Sequence, residues 1–353
     1  MFYYNYYKSL AKTYVKAFFQ KENAKQANIN FLDIGIINPS IGTANLGDLI
    51  IYDAVINELR SHYPNDLFTN YPSQLHTNYE AKQMMGKKDF LFVSGTNLLT
   101  SNMNERFQWK IDPSHKIFLK NKVLLMGVGW WQYQIKPNSY TRRLYKSILK
   151  SEYLHSVRDS YTYNMLQDIG ITNVINTSCP TLWGLKPDLC ASIPKKKASN
   201  VITTLTFYKS DTQLDRKMLE ILIEKYETVY LWVQGIEDIG YLNKIYARAD
   251  KIKLVAPTIE AYNKILEEPS IEYLGTRLHA GIRALQKGVR TLIVAVDNRA
   301  VEIGKDTNLN VIKREDIEQM HDFIDLPYQT KINLPQENID RWRASLPKSI
   351  LNK

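Results

Sequence analysis

The chain has 353 residues, of which 46 are basic and 36 acidic, with 44% apolar side chains, two cysteines and 13 prolines. That apolar fraction excludes a disordered or fibrous chain, and the longest apolar run, 123–131, is interrupted by Gly127 and Gly129 and is too short to span a bilayer. Cys179 and Cys190 cannot build a disulfide framework, and no CxxC or Cys/His cluster is present, so a metal site is not expected.

A formal net charge of +10 favours anionic ligands, anionic membrane surfaces and nucleic acid alike. The basic residues are scattered apart from Lys195 to Lys197, and there is no helix-turn-helix, zinc-finger or RNA-binding signature; nucleic acid is not expected as a partner. The opening MFYYNYYKSLAK has no leucine-rich core or small-residue cleavage site, so the expected location is the cytoplasm.

Residues 1–28 form a segment of their own. Within 2–21, eight aromatics accompany Lys8, Lys12 and Lys16, whose spacing of four places them on one stripe of a helix. Such a helix suits either peripheral contact with the inner face of the cytoplasmic membrane or docking on the protein itself. Residues 29–186 read as a first domain. FLDIGIIN (31–38), DFLFVSG (89–95), KVLLMGVGW (122–130) and HSVRD (155–159) are strand-like, and 49–63 and 160–170 are helix-like, the latter stopped by Gly170. Prolines, the lysine triplet and small polar residues across 187–200 interrupt both periodicities, as a linker does. A second domain, 201–314, repeats the alternation through VITTLTF (201–207), TVYLWVQG (228–235), KIKLVAP (251–257), IEYLGT (271–276) and TLIVAVD (291–297). The polar tail 315–353, with Trp342, is expected to carry a short helix that packs back. The fold class that follows is α/β: two Rossmann-like parallel-sheet domains facing a cleft, with ligand loops at the carboxyl ends of the strands.

Four segments could carry chemistry. In NPSIGTANLGDLIIYDAV (38–55), Asn45, Gly47 and Asp48 lead from a strand into a helix, where backbone N–H groups and the dipole favour an anion; Asp48 as a helix cap is the structural alternative. In GVGWWQYQ (127–134), Trp130 and Trp131 follow a strand and suit either stacking on a sugar or packing of the domain. In 156–174, Arg158 ends a strand, with Asp159 or Ser160 as the cap of the next helix; a surface salt bridge is the alternative. In LGTRLHAGIRAL (274–285), Thr276 is the expected cap, Leu278, Ile282 and Leu285 the buried stripe, and Arg277 and His279 lie in the first turn. A guanidinium fork matches carboxylate or phosphate and an imidazole exchanges a proton near neutral pH; a histidine bonded to a backbone carbonyl is the bland alternative.

Taken in order, these segments resemble the polysaccharide pyruvyl transferase family from about Asn38 to Leu309. The N-x-GD loop matches Asn45, Gly47 and Asp48; the VRD-S segment matches Val157 to Ser160, with a Gly-Ile step at Gly170 and Ile171; the S/T-x-R-x-H segment is GTRLH, 275–279. Two positions depart from the family pattern. SerCysPro at 178–180 stands where many members have Asp-Pro, and Asn298 and Arg299 stand where many have Pro-Lys.

The resemblance implies a GT-B-like architecture and phosphoenolpyruvate as co-substrate, with no further cofactor. It implies a pyruvate ketal formed on a sugar of a surface polysaccharide or its lipid-linked oligosaccharide precursor. On that reading His279 is the general acid and Asp48 orients or deprotonates an acceptor hydroxyl. Arg158, Arg277, Thr276 and Arg299 bind the donor, and Asn45, Gly47, Trp130 and Trp131 the acceptor. Two other readings stand beside it: a GT-B glycosyltransferase using a nucleotide sugar, and a non-catalytic glycan-binding protein of a polysaccharide assembly complex.

Overall fold

The structure, a computed structural model, describes residues 31–105, 108–246 and 251–349 together with Lys8, Ala11, Lys12 and Val15. The helix expected over 2–21 therefore lies outside the described residues, apart from those four, which are helical and exposed. Among the described residues no helix is long and apolar enough to cross a membrane. The chain divides into two compact units, Met1–Gly42 with Tyr52–Thr177 and Gln336–Lys353, and Thr43–Ile51 with Ser178–Pro335.

In the first unit, β1 (Asp33–Asn38), β2 (Leu67–Pro72), β3 (Phe90–Ser94) and β4 (Val123–Met126) form a parallel sheet in the order β2-β1-β3-β4. Strands β3 and β4 read as nearly unbroken apolar runs because both faces are covered: every residue of each is buried. β2 escaped the sequence reading because it is an edge strand, LFTNYP, half exposed and ending in proline. A second parallel pair, β5 (His155–Val157) and β6 (Val174–Asn176), joins through a bridge from Val128 to Val157. Asp159, rather than Ser160, caps the following helix Ser160–Gln167 by accepting from the Thr162 N–H at 2.7 Å. The tail helix Gln336–Ser345 packs on this unit: Trp342 is fully buried against Phe92, and Arg343 grips Glu58 with Nε and Nη2 at 2.7 and 2.8 Å.

In the second unit, β7 (Asn200–Thr203), β8 (Thr228–Trp232), β9 (Ile252–Val255), β10 (Ile271–Gly275), β11 (Thr291–Ala295) and β12 (Val311–Lys313) form one parallel sheet ordered β12-β11-β10-β7-β8-β9. Successive residues feed opposite layers. Val201, Leu274 and Leu292 enter one apolar cluster, while Ile202, Tyr273 and Ile293 enter the other. Residues 187–200, expected to be a linker, belong to this unit; 187–192 are helical and Cys190 is buried in its core. The α/β class with two parallel-sheet units is therefore as expected.

Candidate active site

Strand order in the second unit reverses between β10 and β7, so the loops leaving their carboxyl ends run in opposite directions and open a crevice. A pocket lies at these strand ends. It is lined by Tyr208 after β7, Gln234 after β8, Thr276 to His279 after β10, and Val296, Asp297, Arg299 and Ala300 after β11, together with Asn45 and Gly47. Every one of these residues belongs to the second unit.

Three helices begin at the pocket, Leu46–His62, Leu278–Gln286 and Asn298–Thr307, so three positive dipole ends converge there. Two of the three starts are closed by side chains: Asn45 Oδ1 accepts from the Gly47 N–H at 3.2 Å and Asp297 Oδ1 from the Arg299 N–H at 3.0 Å. The helix that carries His279 has no side-chain cap. An uncapped amino end of this kind can meet a ligand anion. A Cβ on Gly47 would meet Asn45 Oδ1 at 3.2 Å, a tight contact, and His279 Cβ at 3.6 Å, an ordinary one.

Arg277 is 6% exposed and mostly committed. Its Nε donates to the Leu205 carbonyl at 2.7 Å and its Nη2 to the Asp238 carboxylate at 3.0 and 3.3 Å. Tyr208 lies over the guanidinium at 4.8 Å, and among the described residues Nη1 takes no partner. Asp238, completely buried, also accepts from the N–H groups of Gln234 and Gly235, and so ties the β8 loop to the arginine. Arg299 forks Asp297 with Nε at 3.0 Å and Nη2 at 2.6 Å and reaches the Tyr208 hydroxyl at 3.5 Å. Burial disfavours its charge, but the Asp297 carboxylate outweighs that and holds the guanidinium firmly cationic. Each arginine therefore has its own aspartate, and the pocket's attraction for an anion comes from the residual N–H groups and the helix ends rather than from two unmatched charges.

His279, also 6% exposed, turns its Nε2 toward the Cys179 thiol at 3.7 Å; that sulfur accepts from the Thr181 hydroxyl at 3.1 Å. A thiol thus occupies the place beside the imidazole where sequence comparison pointed to a missing aspartate. Sequence reasoning did not single out Cys179, Tyr208, Gln234, Asp238 or Asp297 as site residues. For Gln234 the available signal was its position, two residues past the end of a strand.

Several expected roles are corrected. Thr276 does not cap the helix; its hydroxyl donates to the Thr204 carbonyl at 3.0 Å and pairs with Thr206 at 2.8 Å, which leaves its backbone at the pocket wall. Asp48 does not line the pocket. It is 4% exposed, with Oδ2 accepting from the Thr43 hydroxyl at 2.9 Å, and Asn45 supplies the cap. Trp130 is fully buried in the first unit, its indole donating to Gln134 at 2.9 Å and its ring packed edge-on against Tyr145, so it offers no face to a sugar. Trp131 is only partly buried. Arg158 is no surface pair and no open donor ligand: at 1% exposure it bonds Asp159 through Nε at 2.9 Å and Asn97 through Nη2, while Nη1 is buried without a partner. A Cβ on Gly129 would collide with its guanidinium, so that glycine makes room for it. Among the described residues no three His, Cys, Asp or Glu side chains gather as metal ligands.

Residues 45–298 match the family model for polysaccharide pyruvyl transferase, a span that begins and ends at the pocket's helix starts. The fold resembles that of Methanocaldococcus jannaschii UDP-GlcNAc 2-epimerase, with 12% identity and a TM-score of 0.52 over 89% of this chain and 98% of that one. S. aureus MnaA in its UDP co-structure gives 11% identity and a TM-score of 0.47 over 91% and 92% of the two chains. The lipopolysaccharide outer core galactosyltransferase WaaB gives 9% and 0.44 over 83% and 89%. At these identities the likeness is one of fold alone. A search of curated proteins gave no match.

Proposed function

The chain belongs to the polysaccharide pyruvyl transferase family, and on that premise we propose that it uses phosphoenolpyruvate to form a cyclic pyruvate ketal on a sugar of a surface polysaccharide or its lipid-linked precursor. The observation that carries the reading is the meeting of an uncapped helix start, Arg277, Arg299 and His279 in one pocket. A three-carbon donor bearing a carboxylate and a phosphate needs N–H groups aimed at oxygens, and a nearby proton donor for its methylene carbon.

In the proposed sequence the His279 imidazolium protonates the methylene carbon, which becomes the methyl group, and the central carbon takes up positive charge. One sugar hydroxyl adds there and gives up its proton. The bond from the central carbon to the bridging phosphate oxygen then breaks, inorganic phosphate leaves, and a second hydroxyl of the same sugar adds and loses its proton. The products are the ketal and phosphate. Arg277 and Arg299 hold the donor's anionic groups as charge moves onto the departing phosphate.

Two measurements test this. Incubation with defined glycan acceptors should release inorganic phosphate from phosphoenolpyruvate, and nucleotide sugars should release nothing. In heavy water the ketal methyl should gain one solvent deuteron. A nucleotide sugar that raises the melting temperature where phosphoenolpyruvate does not would replace this reading with the glycosyltransferase one.

A further inference from the structure

We infer that the Gln234 carboxamide is the group that reads the acceptor, by binding two neighbouring hydroxyls of one sugar; the identity of that ligand rests on the transferase reading above. Gln234 is 2% exposed and lines the pocket, yet both Nε2 and Oε1 are buried without a partner. Buried amides are nearly always paired, so a donor and an acceptor left side by side in a ligand pocket mark a position completed by the ligand. Its backbone does not drift. The Gln234 N–H donates at 3.1 Å to the Asp238 carboxylate that also grips Arg277.

The pattern selects the ligand's chemistry. A carboxylate or phosphate only accepts, so it would satisfy Nε2 while setting its own negative oxygens against Oε1. The anionic donor is therefore the wrong partner for this side chain. A hydroxyl both donates and accepts, and two neighbouring hydroxyls give Oε1 a donor and Nε2 an acceptor at once. The surroundings suit a sugar. Gln234 shares the pocket lining with Asn45 and Tyr208. The Tyr208 ring is 45% exposed, an aromatic surface beside an amide.

The test uses the full chain with the methyl glycosides of galactose, glucose, mannose and N-acetylglucosamine as probes, read by saturation-transfer NMR, and phosphoenolpyruvate read by thermal shift. At least one glycoside should bind, and Gln234→Leu should weaken it roughly ten- to thirtyfold, the worth of two hydrogen bonds. The variant's melting temperature should not fall, since an apolar side chain removes two unpaired buried groups, and its response to phosphoenolpyruvate should persist. In wild-type protein labelled with ¹⁵N-glutamine, the glycoside should shift one buried side-chain amide resonance, and its deoxy analogue should not; this arm decides the matter if the leucine variant fails to fold. Equal glycoside binding by wild type and variant, an amide resonance that does not move, or no glycoside bound at all would overturn the inference. If glycosides bind through Gln234 but phosphoenolpyruvate produces no shift, the donor reading fails and the sugar subsite stands.

Discussion

Removing Arg277 should do two separable things if the proposed reading holds, because its guanidinium pairs a buried carboxylate and on that reading also binds the donor. Asp238 has no solvent exposure, and Arg277 is its cationic partner, so Arg277→Ala leaves an uncompensated charge in the interior as well as an unpaired Leu205 carbonyl. Breaking a buried pair from one side costs about 3–5 kcal/mol, which for a unit of this size lowers the melting temperature by roughly 10 °C. Arg277→Leu combined with Asp238→Asn removes both charges at once, and the asparagine oxygen still accepts from the Gln234 and Gly235 N–H groups. The double variant should therefore regain most of the lost stability. It should not regain the donor, so phosphoenolpyruvate should raise the melting temperature of wild type and leave that of the double variant unmoved. Calorimetry of the three proteins with and without phosphoenolpyruvate reads both effects. A double variant as unstable as the single one would refute the buried-charge argument, and a double variant that still responds to phosphoenolpyruvate would remove Arg277 from the donor site.

His279→Gln keeps a hydrogen bond but delivers no proton to carbon; phosphoenolpyruvate binding should survive while turnover falls roughly 10² to 10⁴-fold, and near-normal turnover would dismiss His279 as the acid. Cys179→Asp places a carboxylate where the thiol faces His279 Nε2, favouring the imidazolium, so the alkaline limb of the rate profile should move up by about one pH unit; Cys179→Ser should leave it in place. In the first unit, burial pushes the His155 imidazole down to about 4, with the Lys150 carbonyl partly opposing. Its folded pKa lies below the unfolded value of about 6.5, so the unfolded chain binds the extra proton between them; stability is complete above about pH 6.5 and declines as the pH falls toward 4, by about 3 kcal/mol in all and about 2 kcal/mol at pH 5. Urea unfolding at pH 7 and pH 5 should show that loss in wild type, and a His155→Gln variant with the same loss would assign it elsewhere.

The alternation of apolar runs with helical periodicity was enough to determine two parallel-sheet units, because a strand covered on both faces is apolar along nearly its whole length, as in VLLM of β4 and FLFV of β3. The same local logic placed Arg277 and His279 at the mouth of a helix after a strand. It missed β2, since an edge strand is half wet and its polar residues erase the signal. What a side chain does once it reaches the site depends on partners distant in sequence, and only the tertiary structure decided that. Arg277 and Arg158 read alike as arginines at strand-to-helix junctions, yet one lines a pocket beside Asp238 while the other is enclosed by Asp159, Asn97 and the gap at Gly129. Trp130, open to either role on the sequence alone, became core because Gln134 and Tyr145 close over it. Gln234 carried no motif at all; its unpaired amide has meaning only once the fold brings it into one pocket with Asn45, Tyr208 and Arg277. Periodicity is written in neighbours along the chain, whereas burial, charge pairing and the satisfaction of polar atoms are written in neighbours across it.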